Sequence, residues 1–437
     1  MLKIIKRILG CLIVLGGIIV IDKILVYVLV DDAENEIRYA MHEFYEQENI
    51  DSLFLGSSLV FCGYDPRILD EVWDENTYLA ATPVQKIDGG YYLLKEAIKK
   101  NDIKTVYIDM FYRHFRDVPE ERKEEHMEYI YCITDYMDNN WNRFEFLLTA
   151  SGNDRYINSF FIPSRYGNHL LDIKRFERVI KAKRNDSYIS YEKPDGFYKG
   201  AMFNPGSEGN PNLVGSLDKH NFAVIEEEII SQYSLDCLNK MVKLCKEEGI
   251  RLVLVATPIT DLFIKAVGNY DVYYNYIKEY AKQNEIEYYD FNLCKKDILN
   301  FERKDFLDTI HLSGVGNEKY TKVFADIMLI DSKEDREKCF YSSVEEKMLD
   351  LEKQIFGVSY KTKETEENRY IFDIVSNYDV DVEYRFSIVD DENNDIEVIQ
   401  EFGTNNELSV NGEIKKYKII VRNISTKEIC EEVFVDL

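Results

Sequence analysis

Leu53-Phe54-Leu55-Gly56-Ser57-Ser58 is the stretch on which the reading of this chain turns. Three apolar residues run into a glycine, two serines follow, and the polar run Gly63-Tyr64-Asp65-Pro66 comes shortly after. This pattern predicts a buried strand that stops at Gly56 and a turn that opens a helix near Pro66. Such a junction leaves a serine hydroxyl at the carboxyl edge of a sheet, where open α/β folds place their chemistry.

Outward from that junction, apolar strands alternate with helical patterns. Ser52 to Leu55, Tyr78 to Ala81, Thr105 to Phe111, Arg251 to Pro258 and Glu287 to Phe291 read as strands. Their near-continuous apolar character suits strands covered on both faces. Gln85 to Lys100 and Ile225 to Glu248 carry apolar residues at helical spacing. The alternation predicts an α/β fold with a doubly wound parallel sheet. Between the third and fourth strands it breaks for residues 117 to about 220, a length that calls for structure of its own. A largely helical insertion over the active-site edge is expected there, as a lid, an acceptor groove or simple packing.

A late segment, Asp308-Thr309-Ile310-His311-Leu312, supplies what a serine hydroxyl lacks. The hydroxyl is almost never ionised near neutral pH, so it attacks an ester only if a base takes its proton as the bond forms. His311 is the candidate base, and Asp308, three residues earlier, is spaced to accept the other ring N–H and fix the tautomer. Ser58 is the candidate nucleophile and Ser57 its alternative. Either segment alone also reads as an ordinary turn or cap.

Taken together, Gly56-Ser57-Ser58, Gly63 to Pro66, Tyr78 to Gln85, Tyr91 to Glu96 and Asp305 to Ser313 with Gly316 resemble the SGNH (GDSL-like) hydrolases. The resemblance covers residues 45 to 330, and is strongest to the membrane-anchored bacterial branch that assists teichoic-acid D-alanylation and exopolysaccharide O-acetylation. It implies a flavodoxin-like sheet with Ser58, Asp308 and His311 as the triad and the backbone N–H groups of Ser58 and Ala81 as oxyanion donors. Ala81 stands where the family has glycine. The family's asparagine donor has no clear counterpart, so Asn153, Tyr112 and Arg113 are the candidates for that place.

Ile8 to Val30 is apolar apart from Asp22 and Lys23 and long enough to cross a hydrocarbon core of about 30 Å. Lys3, Lys6 and Arg7 precede it and Asp31, Asp32 and Glu34 follow, so the positive-inside bias places the amino terminus in the cytoplasm and the remainder outside. A cleaved signal peptide is the rival reading. The net charge of −26 argues against nucleic acid as a partner. Eight cysteines and six histidines show no metal-ligand spacing, and no cofactor or metal is expected.

Past a charged boundary and a linker helix, residues 333–358, the apolar period changes to two. Five strand-like segments between Tyr370 and Val435 predict a small β-sandwich over 359–437, separate from a catalytic domain spanning 34–332 and an anchor at 1–33. The resemblance implies O-acyl transfer from an acyl donor to a glycan acceptor at the cell surface, with an integral-membrane O-acyltransferase as partner. Two alternatives stay open: a carbohydrate esterase or deacetylase, and a catalytically inactive scaffold that binds glycan or a membrane partner.

Overall fold

The computed structural model describes residues 2–152, 155–193, 195–216, 224, 228–363, 368–410 and 415–437. Five strands, β1 (Ser52–Gly56), β2 (Thr77–Ala81), β3 (Thr105–Asp109), β4 (Arg251–Ala256) and β5 (Glu287–Asp290), form one all-parallel sheet in the order β2-β1-β3-β4-β5. Both faces are buried, as the unbroken apolar runs require. Leu53, Leu55, Val106, Ile108, Leu252 and Leu254 point into one core, and Phe54, Tyr107, Val253 and Val255 into the other. β3 stops at Asp109, two residues short of the expectation, because Tyr112–Phe115 winds into a 3-10 turn. The carboxyl ends of β1, β2 and β3 therefore open together on one edge.

The insertion between β3 and β4 contains the helices Glu124–Thr134, Trp141–Ala150, Tyr156–Phe160 and Ile173–Lys183, then a hairpin of Phe197–Tyr198 and Ala201–Met202. Its root is held by Arg122, whose buried guanidinium reaches Asp88 at 2.6 Å and also Asp117. The hairpin covers the free edge of β2, where the Leu79 N–H donates to the Lys199 carbonyl at 3.1 Å.

The carboxyl-terminal region is a β-sandwich. Its strands are β6 (Ile355–Lys363), β7 (Asn368–Ser376), β8 (Val382–Val389), β9 (Asp395–Gly403), β10 (Glu407–Val410), β11 (Lys416–Asn423) and β12 (Ile429–Asp436). β9-β8-β11-β12 form one sheet. β10-β7-β6 form the other, extended by Val214–Ser216 from the insertion, which pairs in parallel with β6. Phe372 and Phe386 meet across the sandwich, with ring centroids 5.6 Å apart. The boundary expected at 359 falls inside β6, and one edge strand comes from the other region of the chain. No periodicity in Leu213 to Ser216 announces that pairing, which the sheet edge of β6 supplies. Arg303 and Glu431 tie the two regions at 2.8 Å.

At the other end, Leu2–Leu29 is one continuous helix. Its window Leu12–Leu29 is long and apolar enough to cross a membrane.

Candidate active site

β1 ends at Gly56, and the space there admits no side chain: a Cβ would lie 2.5 Å from Val60 Cγ2 and 2.8 Å from Asp109 Cβ, at a φ of +158°. The chain then turns directly into the helix Ser58–Gly63. Ser57 is its N-cap, with Oγ accepting the Leu59 N–H at 3.4 Å, and is only 1% exposed. That occupation turns Ser57 inward and leaves Ser58, first residue of the helix, facing the carboxyl edge of the sheet. A helix start leaves the Ser58 N–H without an intrahelical acceptor.

The late segment is a tight loop rather than a turn of helix. Leu307 N–H donates to the His311 carbonyl at 2.8 Å, closing five residues into a hairpin. Inside it, one oxygen of Asp308 accepts the backbone N–H groups of Ile310 and His311, each at 2.8 Å. The other oxygen lies 2.7 Å from His311 Nδ1. On the far side of the ring, Nε2 lies 2.8 Å from Ser58 Oγ. Asp308 and His311 are thus positioned by local sequence, while the bond to Ser58 spans more than 250 residues and is made by the fold.

The loop is braced on both sides. Thr260, at the start of the helix Asp261–Val267, holds the Thr309 carbonyl through Oγ1 at 2.7 Å. Ser313 caps the helix Gly314–Met328 and donates its hydroxyl to Lys304 O at 2.7 Å. Gly316 lets that helix approach, since a Cβ there would sit 1.9 Å from the Asp305 carbonyl.

Electrostatics hold the carboxylate ionised. Partial burial pushes the Asp308 pKa up, but the hydrogen bond and charge of His311 and the two backbone N–H groups outweigh it, so it lies below the usual value. Asp308 keeps 54% of its side-chain surface exposed and His311 24%, so the site is open to substrate and water. Cys62, close enough to feel Asp308, is pushed up to about 12, chiefly by burial. It is a packed thiol, not a competing nucleophile.

Two further features shape the edge. Asp109, at the end of β3 against Gly56, is buried, and its pKa is raised to about 6 by desolvation despite hydrogen bonds from Thr257. Its second oxygen has no hydrogen-bond partner. Thr82-Pro83-Val84-Gln85 forms a tight turn closed by Gln85 N–H to Thr82 O at 3.1 Å, with Val84 at φ +51°. The Gln85 side chain locks it by donating to Ala80 O at 3.1 Å. A Thr-Pro dipeptide after a strand is the signal that could have found this turn.

The expected oxyanion donors fare unequally. Gly56 accepts from Thr82 N–H, so β1 is bonded through the neighbours of Ala81, and the Ala81 N–H points to the opposite edge with that of Leu79. That direction removes Ala81 as a donor beside Ser58, because strand alternation gives adjacent N–H groups opposite directions. The Tyr112 side chain is enclosed by Phe111, Phe263, Tyr270 and Tyr273. Arg113 is half-buried beside Lys86 and His114, where burial and then the charges of Lys86 and Arg113 hold the His114 pKa well below its ordinary value, so that ring is neutral. Asn153 lies outside the described residues; its neighbours Ser151 and Gly152 end the helix Trp141–Ala150 beside Pro119. Among the described residues, no group of three His, Cys, Asp or Glu is placed to hold a metal ion.

Comparison with known proteins gives a distant likeness. A family model that carries no description aligns with residues 184–333, less than half of the chain. No curated protein matches the sequence. Among solved structures, the chain is similar to a protein provisionally described as an acylhydrolase from Bacteroides fragilis, at 12% identity and a TM-score of 0.31, covering 70% of this chain and 96% of that one. It is also similar to a GDSL-like lipase from Bacteroides thetaiotaomicron, at 12% identity and a TM-score of 0.29, covering 70% and 98%.

Proposed function

We propose that this chain is a membrane-anchored serine acyl enzyme of the SGNH type, working on the outer face of the cell. The observation that carries the reading is the unbroken line of hydrogen bonds from Asp308 through His311 to Ser58, at 2.7 and 2.8 Å. Ser58 Oγ attacks the acyl carbonyl while its proton passes to His311 Nε2, and Asp308 stabilises the imidazolium. The tetrahedral oxygen takes the Ser58 N–H, and the donor that the Thr82–Gln85 turn can add in place of Ala81 is the Val84 N–H, since those of Thr82 and Gln85 are bonded to backbone carbonyls and Pro83 has none. Collapse returns the proton from Nε2 to the leaving oxygen and leaves an ester on Ser58. A glycan hydroxyl, deprotonated by the same imidazole, then attacks that ester and carries the acyl group away.

The favoured reaction is O-acetyl transfer to a cell-surface or secreted polysaccharide, with the acyl donor delivered by an integral-membrane O-acyltransferase. The motif resemblance and the apolar N-terminal helix support this setting. Water in place of the glycan hydroxyl would make the same acyl-enzyme a carbohydrate esterase.

The test is labelling of the full-length protein with a fluorophosphonate probe, followed by acetyl transfer from a p-nitrophenyl ester to oligosaccharide acceptors read by mass spectrometry. Labelling should vanish in Ser58→Ala. Absence of labelling in folded wild-type protein would assign the chain to the scaffold role instead.

A further inference from the structure

Among the described residues, the insertion carries a strip of large apolar side chains that stays exposed. Trp141 is 71% exposed, Leu171 94% and Ile173 68%, with Phe144, Phe160 and Leu170 also exposed. Trp141 lies against Phe144 with ring centroids 5.2 Å apart, and Phe144 against Phe160 at 5.4 Å, both pairs tilted, so the aromatic part is continuous. An apolar surface of this kind on a chain of net charge −26 calls for an occupant.

Its position identifies that occupant. The long N-terminal helix emerges against this same insertion: Arg175 donates to the Leu29 carbonyl at 3.1 Å, Arg178 pairs with Asp31 at 2.8 Å, and Lys183 with Asp32 at 2.9 Å. Asp22 lies close enough to Arg143 for its charge to act on the guanidinium. Asp22 is seven residues before Leu29, about 10 Å down the helix at 1.5 Å per residue. The segments Ile162–His169 and Ile173–Lys183 both pack against this helix, so Leu170 and Leu171 between them and, through Phe160, the aromatic part of the strip lie on the side where it emerges.

Charge points the same way. Between Ile162 and Arg184 the sequence holds seven Lys or Arg and two acidic residues, against the strongly acidic balance of the whole. Lys174, Arg178 and Lys181 are exposed and fall at i, i+4 and i+7, one stripe of the helix Ile173–Lys183. An apolar tip with a basic stripe beside it is the composition of a segment lying in a lipid interface.

We propose that the helical insertion is a second membrane contact. Its apolar strip sits in the bilayer interface where the N-terminal helix emerges, with Lys174 and Lys181 over anionic lipid phosphates and Arg178, between them, held to Asp31. This rests on the reading of Leu12–Leu29 as membrane-spanning. The two contacts together fix the orientation of the ectodomain to the bilayer, which a single helix cannot do.

The chain has two tryptophans, so Trp73→Phe leaves Trp141 as the sole reporter. The full-length protein is placed in nanodiscs of phosphatidylcholine with or without phosphatidylglycerol, carrying bromine at shallow acyl positions. Roughly twofold quenching of Trp141 emission is expected, the response of a tryptophan at the interface. Wild-type protein should lose most of its bromine-sensitive emission in Trp141→Phe, a control that does not depend on the Trp73 change. Lys174→Glu with Lys181→Glu should reduce quenching in anionic discs to the level in neutral ones; quenching blind to lipid charge and to this pair overturns the headgroup contact. Failure to enter nanodiscs would overturn the anchor and the proposal together. Entry without quenching would overturn the proposal alone, and leave the strip to a protein partner.

Discussion

Asp308→Asn tests the arrangement at its most informative atom. One oxygen of Asp308 is held by two backbone N–H groups at 2.8 Å, and the other faces His311 Nδ1 at 2.7 Å. An asparagine can keep the first set only by placing its amide oxygen there, which turns its NH2 toward Nδ1. Flipping the amide would instead set a donor against two donors, forfeiting two hydrogen bonds at roughly 1 kcal/mol each and adding repulsion. The unflipped amide is therefore favoured, and it forces Nδ1 to accept and the ring proton onto Nε2. That proton then points at Ser58 Oγ, 2.8 Å away, and the ring cannot take the serine proton. The expected loss is about 10,000-fold in kcat, or about 5.5 kcal/mol of barrier, with little change in fold. Hydrolysis of a small acetyl ester, run beside thermal melts of both proteins, measures it. Turnover within tenfold of wild type in a variant of unchanged melting temperature would refute the role given to Asp308.

Further outcomes separate the parts of the site and its frame. Ser57→Ala should retain fluorophosphonate labelling and lose about 1 kcal/mol of stability, the worth of an N-cap; loss of labelling at intact stability would make Ser57 the nucleophile. Asp109 has a folded pKa of about 6, above the ordinary carboxylate value of about 3.9, so its contribution to stability is full below about 3.9 and is lost as pH rises through 6. That loss amounts to about 3 kcal/mol, and Asp109→Asn should remove it; denaturant unfolding at pH 4 and pH 7.5 would expose an unchanged pH dependence if the assignment is wrong. Arg122→Ala leaves Asp88 buried without its cation and should destabilise the protein by about 3–5 kcal/mol, seen as a lowered melting temperature; a cost under about 1 kcal/mol contradicts the pairing.

The alternation of apolar strands and helices was legible because strands covered on both faces have no room for polar side chains, and that constraint is written into every residue of Arg251 to Ala256. The pairing of Asp308 with His311 was legible for an equally local reason, since its hydrogen bonds join residues no more than three apart, although the brace from Thr260 comes from elsewhere in the chain. The direction of the Ala81 N–H was not legible. It depends on which neighbours of Ala81 bond to β1, a matter of register that no residue type encodes. The desolvation of Asp109 was hidden for a related reason: a carboxylate at a strand end is ordinary until the packing of Gly56 against it is known.

By itself, then, the sequence determined the layers of the fold, the apolar amino-terminal helix and the chemical kit of hydroxyl, imidazole and carboxylate. Only the tertiary structure decided that Ser58 rather than Ser57 meets the imidazole, that Val214–Ser216 completes a sheet begun at Ile355, and that the insertion packs against the end of the amino-terminal helix. The physical reason is range. Periodicity, capping and tight loops arise from interactions across a few residues, whereas these three outcomes join segments more than a hundred residues apart, through contacts that exist only once the chain has packed.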